Sequence, residues 1–200
     1  MAENKVRFNL KNVHYAKLTV TSSSSGDSFS WATPVHVPGA VSLSLSAQGA
    51  LEPFYADGIV YYRSVNQDGS YNGDLEMARF PDQMHQDLWH YTLGTTSKVL
   101  TEMVSGEAVP FALLFQLDGD AGNDYYCLYN CTATKPTINA QTTNEGKNIQ
   151  TQSSTISADA LSDGSVLART TGDTPTATKS GWFTTVFRET ASPSPNPGVT

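Results

Sequence analysis

The sequence is poor in basic residues. Only 12 Lys and Arg stand against 19 Asp and Glu in 200 residues, which gives a formal net charge of -7 at pH 7. A surface of this sign does not hold a nucleic acid electrostatically, because tight non-specific binding needs cations that displace the counterions around the phosphates. The composition therefore argues against a protein that coats nucleic acid, but it is compatible with DNA that passes nearby.

Long apolar runs are also missing. The N-terminal stretch MAENKVRFNLKNVHYAK lacks the apolar segment that a secretory signal requires. No other stretch approaches the roughly 18 to 20 apolar residues of a membrane-spanning helix. The sequence thus predicts a protein that is made and kept in the cytoplasm, or released from it by lysis, with no membrane span.

Cysteine is scarce, and the two cysteines, Cys127 and Cys131, do not suffice for a disulfide-rich secreted framework. In an extended strand, residues four apart share a face but lie roughly 13 Å apart, which is too far for a disulfide bond. The four histidines have none of the paired spacings typical of zinc sites. We therefore expect both cysteines to be small buried hydrophobic residues, and we expect neither a metal nor another cofactor.

Catalytic motifs are absent as well. The acidic stretch LDGDAGND fails as an EF-hand calcium loop, because the sixth position from Asp118 is Asn123 instead of Gly and the twelfth is Tyr129 instead of Glu. It predicts a polar turn between two strands. The chain has no nucleophile elbow, no Gly-rich phosphate loop and no zinc-protease motif. The sequence does not predict an enzyme.

Alternation with a period of two residues dominates what is present, and it is typical of β-strands. A first strand starts near Val6, with a candidate break at Asn12, and VSLSLS at residues 41–46 predicts a strand with one wet face. Hairpins are predicted at Asp68–Gly69 (or at the competing Asn72–Gly73), at the loop after Leu117 and at Asp163–Gly164. These hairpins predict a mainly β domain over residues 1–190, with two packed antiparallel sheets as a sandwich or barrel.

One segment has helical spacing instead. In FPDQMHQDLWHYTLG a Pro-Asp start precedes Met84, Leu88 and Tyr91 at i, i+4 and i+7, which predicts one flanking amphipathic helix over about residues 81–92. KSGWFTTVF, at residues 179–187, is a weaker candidate for a helix or a terminal strand. Residues 191–200 are rich in proline and predict a flexible tail.

Several stretches, taken in order, carry a resemblance: VRFNLKNVHYAKLT, TPVHVPGAVSLSLSAQGALEPFYADGIVYY, YNGDLEMARFPD, FALLFQLDGD, LYNCTATKP, TQSSTISADALSDGSVLARTTGD and WFTTV. Together they resemble the major tail protein (tail tube protein) family of long-tailed bacteriophages with non-contractile tails. EPFYAD and YNCT carry the most weight, and the Ser-rich tip at residues 22–25 departs from the pattern. The resemblance extends over nearly the whole chain from the first strand to WFTTV, and none of its motifs is catalytic.

The resemblance implies a tail tube fold that assembles into hexameric rings, which stack into a hollow tube. It implies as partners other copies of the chain, a tape measure protein and tail-end proteins, with DNA passing through the bore without sequence-specific binding. It also implies that the protein belongs to the virion tail and is assembled in the host bacterial cytoplasm.

Two segments are candidates for contact between subunits or rings. Gln48–Gly58 is predicted to be a long loop whose apolar residues need a partner on a neighbouring copy; the alternative is a loop folded onto its own sheet. The N-terminal arm, Lys5–Leu10, is the second candidate. The expected contact residues are Leu51, Phe54 and Tyr55 in the loop and Val6, Phe8 and Leu10 in the arm, and the candidates to face the bore are Ser42, Ser44 and Ser46.

Three other readings remain open. A monomeric β-sandwich binding module, such as an adhesin or a carbohydrate-binding domain, could use Trp31, Tyr55, Tyr61 and Tyr62 as a sugar platform, although packing in the core or at a subunit interface is the expected role of these residues. Such a module would be expected to carry an export signal. A small jelly-roll hydrolase lacks a visible pair of nucleophile and base. A tube subunit from a contractile tail or secretion machine is the nearest structural alternative.

Overall fold

The computed structural model describes residues 4–24, 26–66, 69–104, 107–142 and 149–189, so the predicted tail at 191–200 lies outside the described residues. The described part is mainly β, as predicted. In chain order it contains β1 Arg7–Ser23, β2 Gly26–Trp31, β3 Val35–His36, β4 Ala40–Ala47, β5 Ala50–Ala56, β6 Ile59–Asn66, β7 Tyr71–Met77, α1 Asp82–Trp89, β8 Thr92–Leu93, β9 Leu100–Thr101, β10 Phe111–Gly119, β11 Asp124–Ala133, β12 Gln152–Ala158, β13 Leu167–Arg169 and α2 Thr176–Gly181.

Most strands belong to one antiparallel sheet of nine strands. Its order is β2-β1-β10-β11-β12-β7-β4, with β3 paired to β1 and β13 paired to β11. β4, at one edge, also approaches β1 near the other edge. The sheet therefore curls, and the layers expected of a sandwich or barrel are joined by hydrogen bonds into one continuous sheet.

The inner face of this curled sheet carries the larger core. Helix α1 covers it with Met84, Leu88 and Trp89, as the helical spacing predicts. The helix ends at Trp89, before the predicted bound near residue 92, because His90 adopts a left-handed conformation with φ 58°. Tyr91, the third residue of the predicted stripe, follows the helix and packs half-buried against the same core.

A polar contact fixes α1 against β1. The Tyr15 hydroxyl and the Lys17 ammonium donate hydrogen bonds to the two carboxylate oxygens of Asp87, at 2.8 and 2.9 Å. Burial raises the pKa of Asp87, but hydrogen bonds from Lys17, Tyr15 and Gln83 outweigh burial, and the pKa lies below its ordinary value. The negative charge of Asp87 thus stabilises the packing of the helix.

The outer face carries a second, smaller core, centred on β1, β10 and β11, where a C-terminal segment covers it. Trp182 is 2% exposed, and its indole N–H donates to the Tyr126 carbonyl oxygen at 3.2 Å. The helix in this region, α2, ends at Gly181, so the whole predicted stripe follows it: Trp182 and Phe183 lie in a turn, and Val186 and Phe187 lie in irregular chain. The alternative prediction of a terminal strand is wrong.

The two cysteines are fully buried, as predicted, but they do not share a face. In the pairing of β10 with β11, Leu113 lies opposite Leu128 and Phe111 lies opposite Cys131, so β11 carries one extra residue between these pairs. A bulge of this kind reverses the alternation of side chains. Cys127 therefore packs in the outer core and Cys131 in the inner core.

β1 is not broken at Asn12, as the sequence suggested, but it is irregular there. Asn9 and Asn12 adopt positive φ values of 59° and 50°, and the register of β1 against β10 shifts near both residues. Asparagine tolerates this conformation better than most residues. Each kink also makes a polar contact, because the Asn12 side chain donates to Gln116 at 2.8 Å and the Asn9 side chain donates to Asp118 at 2.9 Å.

Of the three predicted hairpins, only the one after Leu117 is confirmed, as β10–β11. The hairpin at Asp68–Gly69 is wrong, because β6 pairs with β5, while β7 pairs with β4 and β12; Asp68 itself lies outside the described residues. The competing Asn72–Gly73 lies inside β7. Asp163–Gly164 is a turn, but β12 and β13 both pair with β11 and not with each other.

Candidate assembly surfaces

The segment predicted as a long loop, Gln48–Gly58, is mostly a β-strand. β5 pairs with β6 to form a separate two-stranded sheet, which we call the hairpin arm, residues 50–66. Its two-residue turn is Asp57–Gly58, where both residues have positive φ values, 52° and 76°. Such a turn matches the twist of two antiparallel strands. The prediction of a loop is wrong because IVYY, at residues 59–62 after the turn, pairs with the strand that precedes the turn.

The hairpin arm exposes large apolar side chains along most of its outer half. An isolated two-stranded sheet is only marginally stable in water, and contiguous apolar exposure marks an interaction surface. The alternative that this segment folds onto its own sheet does not agree with these exposures. The exposed fractions are 60% for Phe54, 62% for Tyr55, 64% for Ile59, 38% for Val60, 73% for Tyr61 and 64% for Tyr62.

The sequence predicted part of this surface. Phe54 and Tyr55 lie on the arm, and Leu51 lies in β5, although its side chain is not among those described. Tyr61 and Tyr62 were expected to pack in the core or at a subunit interface, with a sugar platform as the alternative, and Ile59 and Val60 were missed. The signal was available, because an alternating apolar run directly after Asp-Gly is the second half of a hairpin. That these residues contact a neighbouring copy stays a prediction.

The N-terminal residues form a second exposed apolar surface. Val6 is 57% exposed and Phe8 55% exposed, whereas Leu10 is half-buried against the inner core. The N-terminal segment Lys5–Leu10 is anchored to its own chain for most of its length, because Arg7 forms an ion pair with Asp124 at 2.5 Å and lies opposite Gly119 in the sheet. Only Val6 and Phe8 of the three predicted contact residues are open to a partner.

The acidic loop between β10 and β11 binds the N-terminus of its own chain. The Asn4 side-chain oxygen accepts hydrogen bonds from the backbone N–H groups of Ala121 and Gly122, both at 2.9 Å, and the Lys5 N–H donates to Asp120 at 2.8 Å. Within the described ranges no three His, Cys, Asp or Glu side chains are grouped as a metal site requires. The loop is a polar turn, and its carboxylates fasten the first strand.

A polar face extends across β4, β7 and β12 on the outer side of the sheet. Cross-strand register aligns each of the three predicted serines with one residue of β7 and one of β12. The rows are Ser42, Glu76 and Ser153; Ser44, Asp74 and Thr155; and Ser46, Asn72 and Ser157. We call these residues the hydroxyl face; no lysine or arginine stands among them, and the three serines of β4 are exposed.

Hydrogen bonds hold the two acids of the hydroxyl face. Thr151 and Ser42 donate to Glu76 at 2.6 and 2.9 Å, and these bonds lower the pKa of the Glu76 carboxyl below its ordinary value. Thr155 donates to Asp74 at 2.8 Å. The Glu76 carboxylate therefore stays ionised at neutral pH, neighbouring hydroxyls fix both acidic side chains, and the face is polar and acidic. The sequence missed the residues from β7 and β12, because it does not state which strands are neighbours.

The aromatic residues considered for a sugar platform do not come together. Trp31 packs at 5.7 Å from the Tyr129 ring and donates to the Tyr129 carbonyl oxygen at 3.0 Å, at the outer core. Tyr55, Tyr61 and Tyr62 lie on the hairpin arm. The structure thus does not support the four-residue platform on which the binding-module alternative relied.

The chain is similar to two solved structures of tail-like particles. One is the tube-terminating cap of the anti-feeding prophage, with 16% identity and a TM-score of 0.41 over 86% of this chain and 97% of that chain. The other is from the sheath-tube complex, in the extended state, of the extracellular contractile injection system PVC, with 16% identity and a TM-score of 0.39 over 78% of this chain and 88% of that chain.

Both similarities are too distant to assign a function. No protein-family model matches the chain, and no curated protein matches it. Neither helix in the described part of the chain has the length and apolar character needed to cross a bilayer.

Proposed function

We propose that this chain is a structural subunit that polymerises into the tube of a phage-type tail. Hexameric rings stack into a hollow tube, and DNA passes through its bore into the host. The observation that carries the proposal is the hairpin arm, a separate two-stranded sheet whose outer half exposes Phe54, Tyr55, Tyr61 and Tyr62. A partner that covers this surface gains buried apolar area, and other copies of the chain are the partner that a tube subunit always has nearby.

The hydroxyl face suits the wall of a bore. Its serines, threonines and asparagine bind water, and Asp74 and Glu76 repel phosphate groups. A wall without cations does not gain affinity from counterion release, so a nucleic acid slides past it and does not adhere. In this proposal Ser42, Ser44 and Ser46 face the bore, as expected from the sequence, and β7 and β12 extend the wall on which they lie.

Free strand edges also favour assembly. β4 and β2 stand at the two ends of the strand order, each with one side unpaired within the described sheet. An exposed edge is a template for pairing with another chain, and closing a ring of subunits removes it. A barrel built from several copies would satisfy these edges while it places the hydroxyl face toward a common axis.

The remaining roles follow from the same proposal. The tube is a component of the virion tail and assembles in the host cytoplasm around a tape measure protein, between tail-end proteins. The subunit has a structural role and no catalytic one, and it needs no cofactor. The non-contractile type of tail is proposed from the sequence motifs.

Sedimentation velocity of the purified chain, at rising protein and salt concentrations, tests the proposal. The charge of -7 per chain opposes ring closure, and salt screens it over roughly 8 to 10 Å at physiological strength. We expect particles of six subunits and larger, favoured by both protein and salt. A monomer at every concentration and salt level would contradict self-assembly.

A further inference from the structure

An apolar groove opens between β1, β4 and β13. Its volume is about 390 Å³, which is within the range of pockets that bind sizeable ligands, roughly 300 to 1,000 Å³. The half-buried side chains of Leu10, Leu43, Leu45 and Tyr71 line it, and Leu167 and Arg169 stand at its rim. The groove is an opening into the inner core that the chain does not fill with its described residues.

The arm tip and the groove match in charge. Residues 54–62, FYADGIVYY, contain a single charged residue, Asp57. The groove also contains a single charged residue, Arg169, which has opposite sign. Within the described ranges Arg169 has no acidic partner, whereas Arg7, Arg79 and Arg188 each have one. An acid at the tip of an incoming arm would supply that partner.

The exposed apolar area of the hairpin arm is also close to the area that a specific protein contact requires. Aromatic side chains bury roughly 150 to 250 Å² each when they are covered. With the exposed fractions of the arm, its six apolar side chains offer on the order of 600 Å². One partner of a standard protein interface contributes about 800 Å². The arm tip, with the rim around it, therefore comes close to a complete half-interface.

We infer that the groove is the socket for the hairpin arm of a second copy of this chain. The contact is heterologous, since each subunit offers an arm to one neighbour and a groove to another, and such contacts build rings or filaments. Leu10, which the sequence predicted as a contact residue, takes part as groove lining and not as part of a free N-terminal arm. The inference rests on the proposed function and names the surface that the arm binds.

The test mixes two variants that each lack one half of the contact. The arm variant is Phe54→Ser with Tyr55→Ser, and the groove variant is Leu167→Glu, at a side chain that is 37% exposed and so tolerates a charge. Leu93→Glu is the matched control, because Leu93 is 41% exposed, lies outside the groove and belongs to none of the strands proposed for assembly. Thermal unfolding identifies any variant that fails to fold, and Arg169→Glu serves as a second groove variant.

Native mass spectrometry gives the readout. We expect the wild type and the Leu93 control to assemble, and each half-contact variant alone to associate about thirtyfold more weakly or worse. An equimolar mixture of arm and groove variants should recover a 1:1 pair, because one intact arm then meets one intact groove. A photo-cross-linking residue at Tyr62 should label the β4 or β13 peptide of another chain.

The outcomes separate the inference from the proposal on which it rests. If both groove variants assemble like the wild type, or if the label stays within one chain, the socket is elsewhere and only the inference fails. If the arm variant also assembles like the wild type, or the wild type never assembles, the proposed function fails with it.

Discussion

Replacement of Phe54 and Tyr55 by serine should abolish assembly and leave the monomer folded. Phe54 is 60% exposed and Tyr55 62% exposed in the isolated chain. Full burial of such side chains removes roughly 150 to 250 Å² each from water, so covering the open part of both gains on the order of 240 Å². At ~25 cal/mol per Å² this area corresponds to at most about 6 kcal/mol per contact.

The measured loss should be smaller, because binding also orders side chains and restricts the motion of the subunits. We expect each contact to weaken by about 2 to 4 kcal/mol, or roughly 30- to 900-fold in its association constant. The free energy of unfolding should change by less than about 0.5 kcal/mol, as is usual for exposed positions. Light scattering against protein concentration measures assembly, and urea unfolding of the monomer measures stability.

The control for this variant is Leu93→Ser with Val99→Ser, which removes two apolar side chains that are 41% and 58% exposed but lie outside the arm and the strands proposed for assembly. It should assemble like the wild type. Normal assembly of the arm variant would refute the reasoning. A loss of stability as large as the loss of assembly would refute it too, because the arm would then be part of the monomer's own core.

Three further predictions concern the fold that holds these surfaces. A Cβ at Gly73 would lie 1.7 Å from the Ser44 carbonyl oxygen, so Gly73→Ala should lower the free energy of unfolding in urea by about 1 to 3 kcal/mol or more. Gly122→Ala is the control, because a Cβ there meets open space and should not lower the free energy of unfolding. Equal effects of the two substitutions would contradict the close approach of β4 and β7. Because folding lowers the pKa of Asp87, the stabilisation that the charged Asp87 gives the folded protein is complete above the pKa in the unfolded chain, near 3.9. This stabilisation is lost as the pH falls through the pKa in the folded state. Asp87→Asn should therefore be ~1–2 kcal/mol less stable than the wild type above about pH 5, with a gap that closes in acid; a gap independent of pH would contradict this role. Trp182→Ala should destabilise by about 3 to 5 kcal/mol in the same assay, and a change below 1 kcal/mol would mean that the C-terminal segment does not cover the outer core.

Local patterns could be predicted from the sequence because they depend on neighbouring residues. Alternation in VSLSLS predicted the exposed serines of β4, since side chains in a strand point to opposite faces in turn. Even there, a bulge at Val41 turns that residue outward, away from Leu43 and Leu45. The spacing of Met84 and Leu88 predicted the helix and its buried stripe for the same local reason.

Pairings between distant segments could not be predicted in this way. Asp57–Gly58 and Asp68–Gly69 are the same dipeptide, yet only the first joins two paired strands, since β7 pairs with β4 and β12 in the main sheet and not with β6. Pro53 lacks a backbone N–H group and made β5 resemble a loop. The bulge that separates Cys127 from Cys131 has no local signature either.

The same limit applied to the candidate surfaces. Phe54, Tyr55 and the β4 serines were identified from their own segments. The partners of those serines in the hydroxyl face, and the groove, appear only when strands far apart in the chain are adjacent.

Electron cryo-microscopy of particles grown from the purified chain is the most direct test of the tube. The account predicts hollow tubes of stacked six-subunit rings, with the hydroxyl face of β4, β7 and β12 lining the bore and the hairpin arm covered by a neighbouring copy. Solid filaments, a bore lined by another face, or tubes in which Phe54 and Tyr55 remain open to solvent would contradict it.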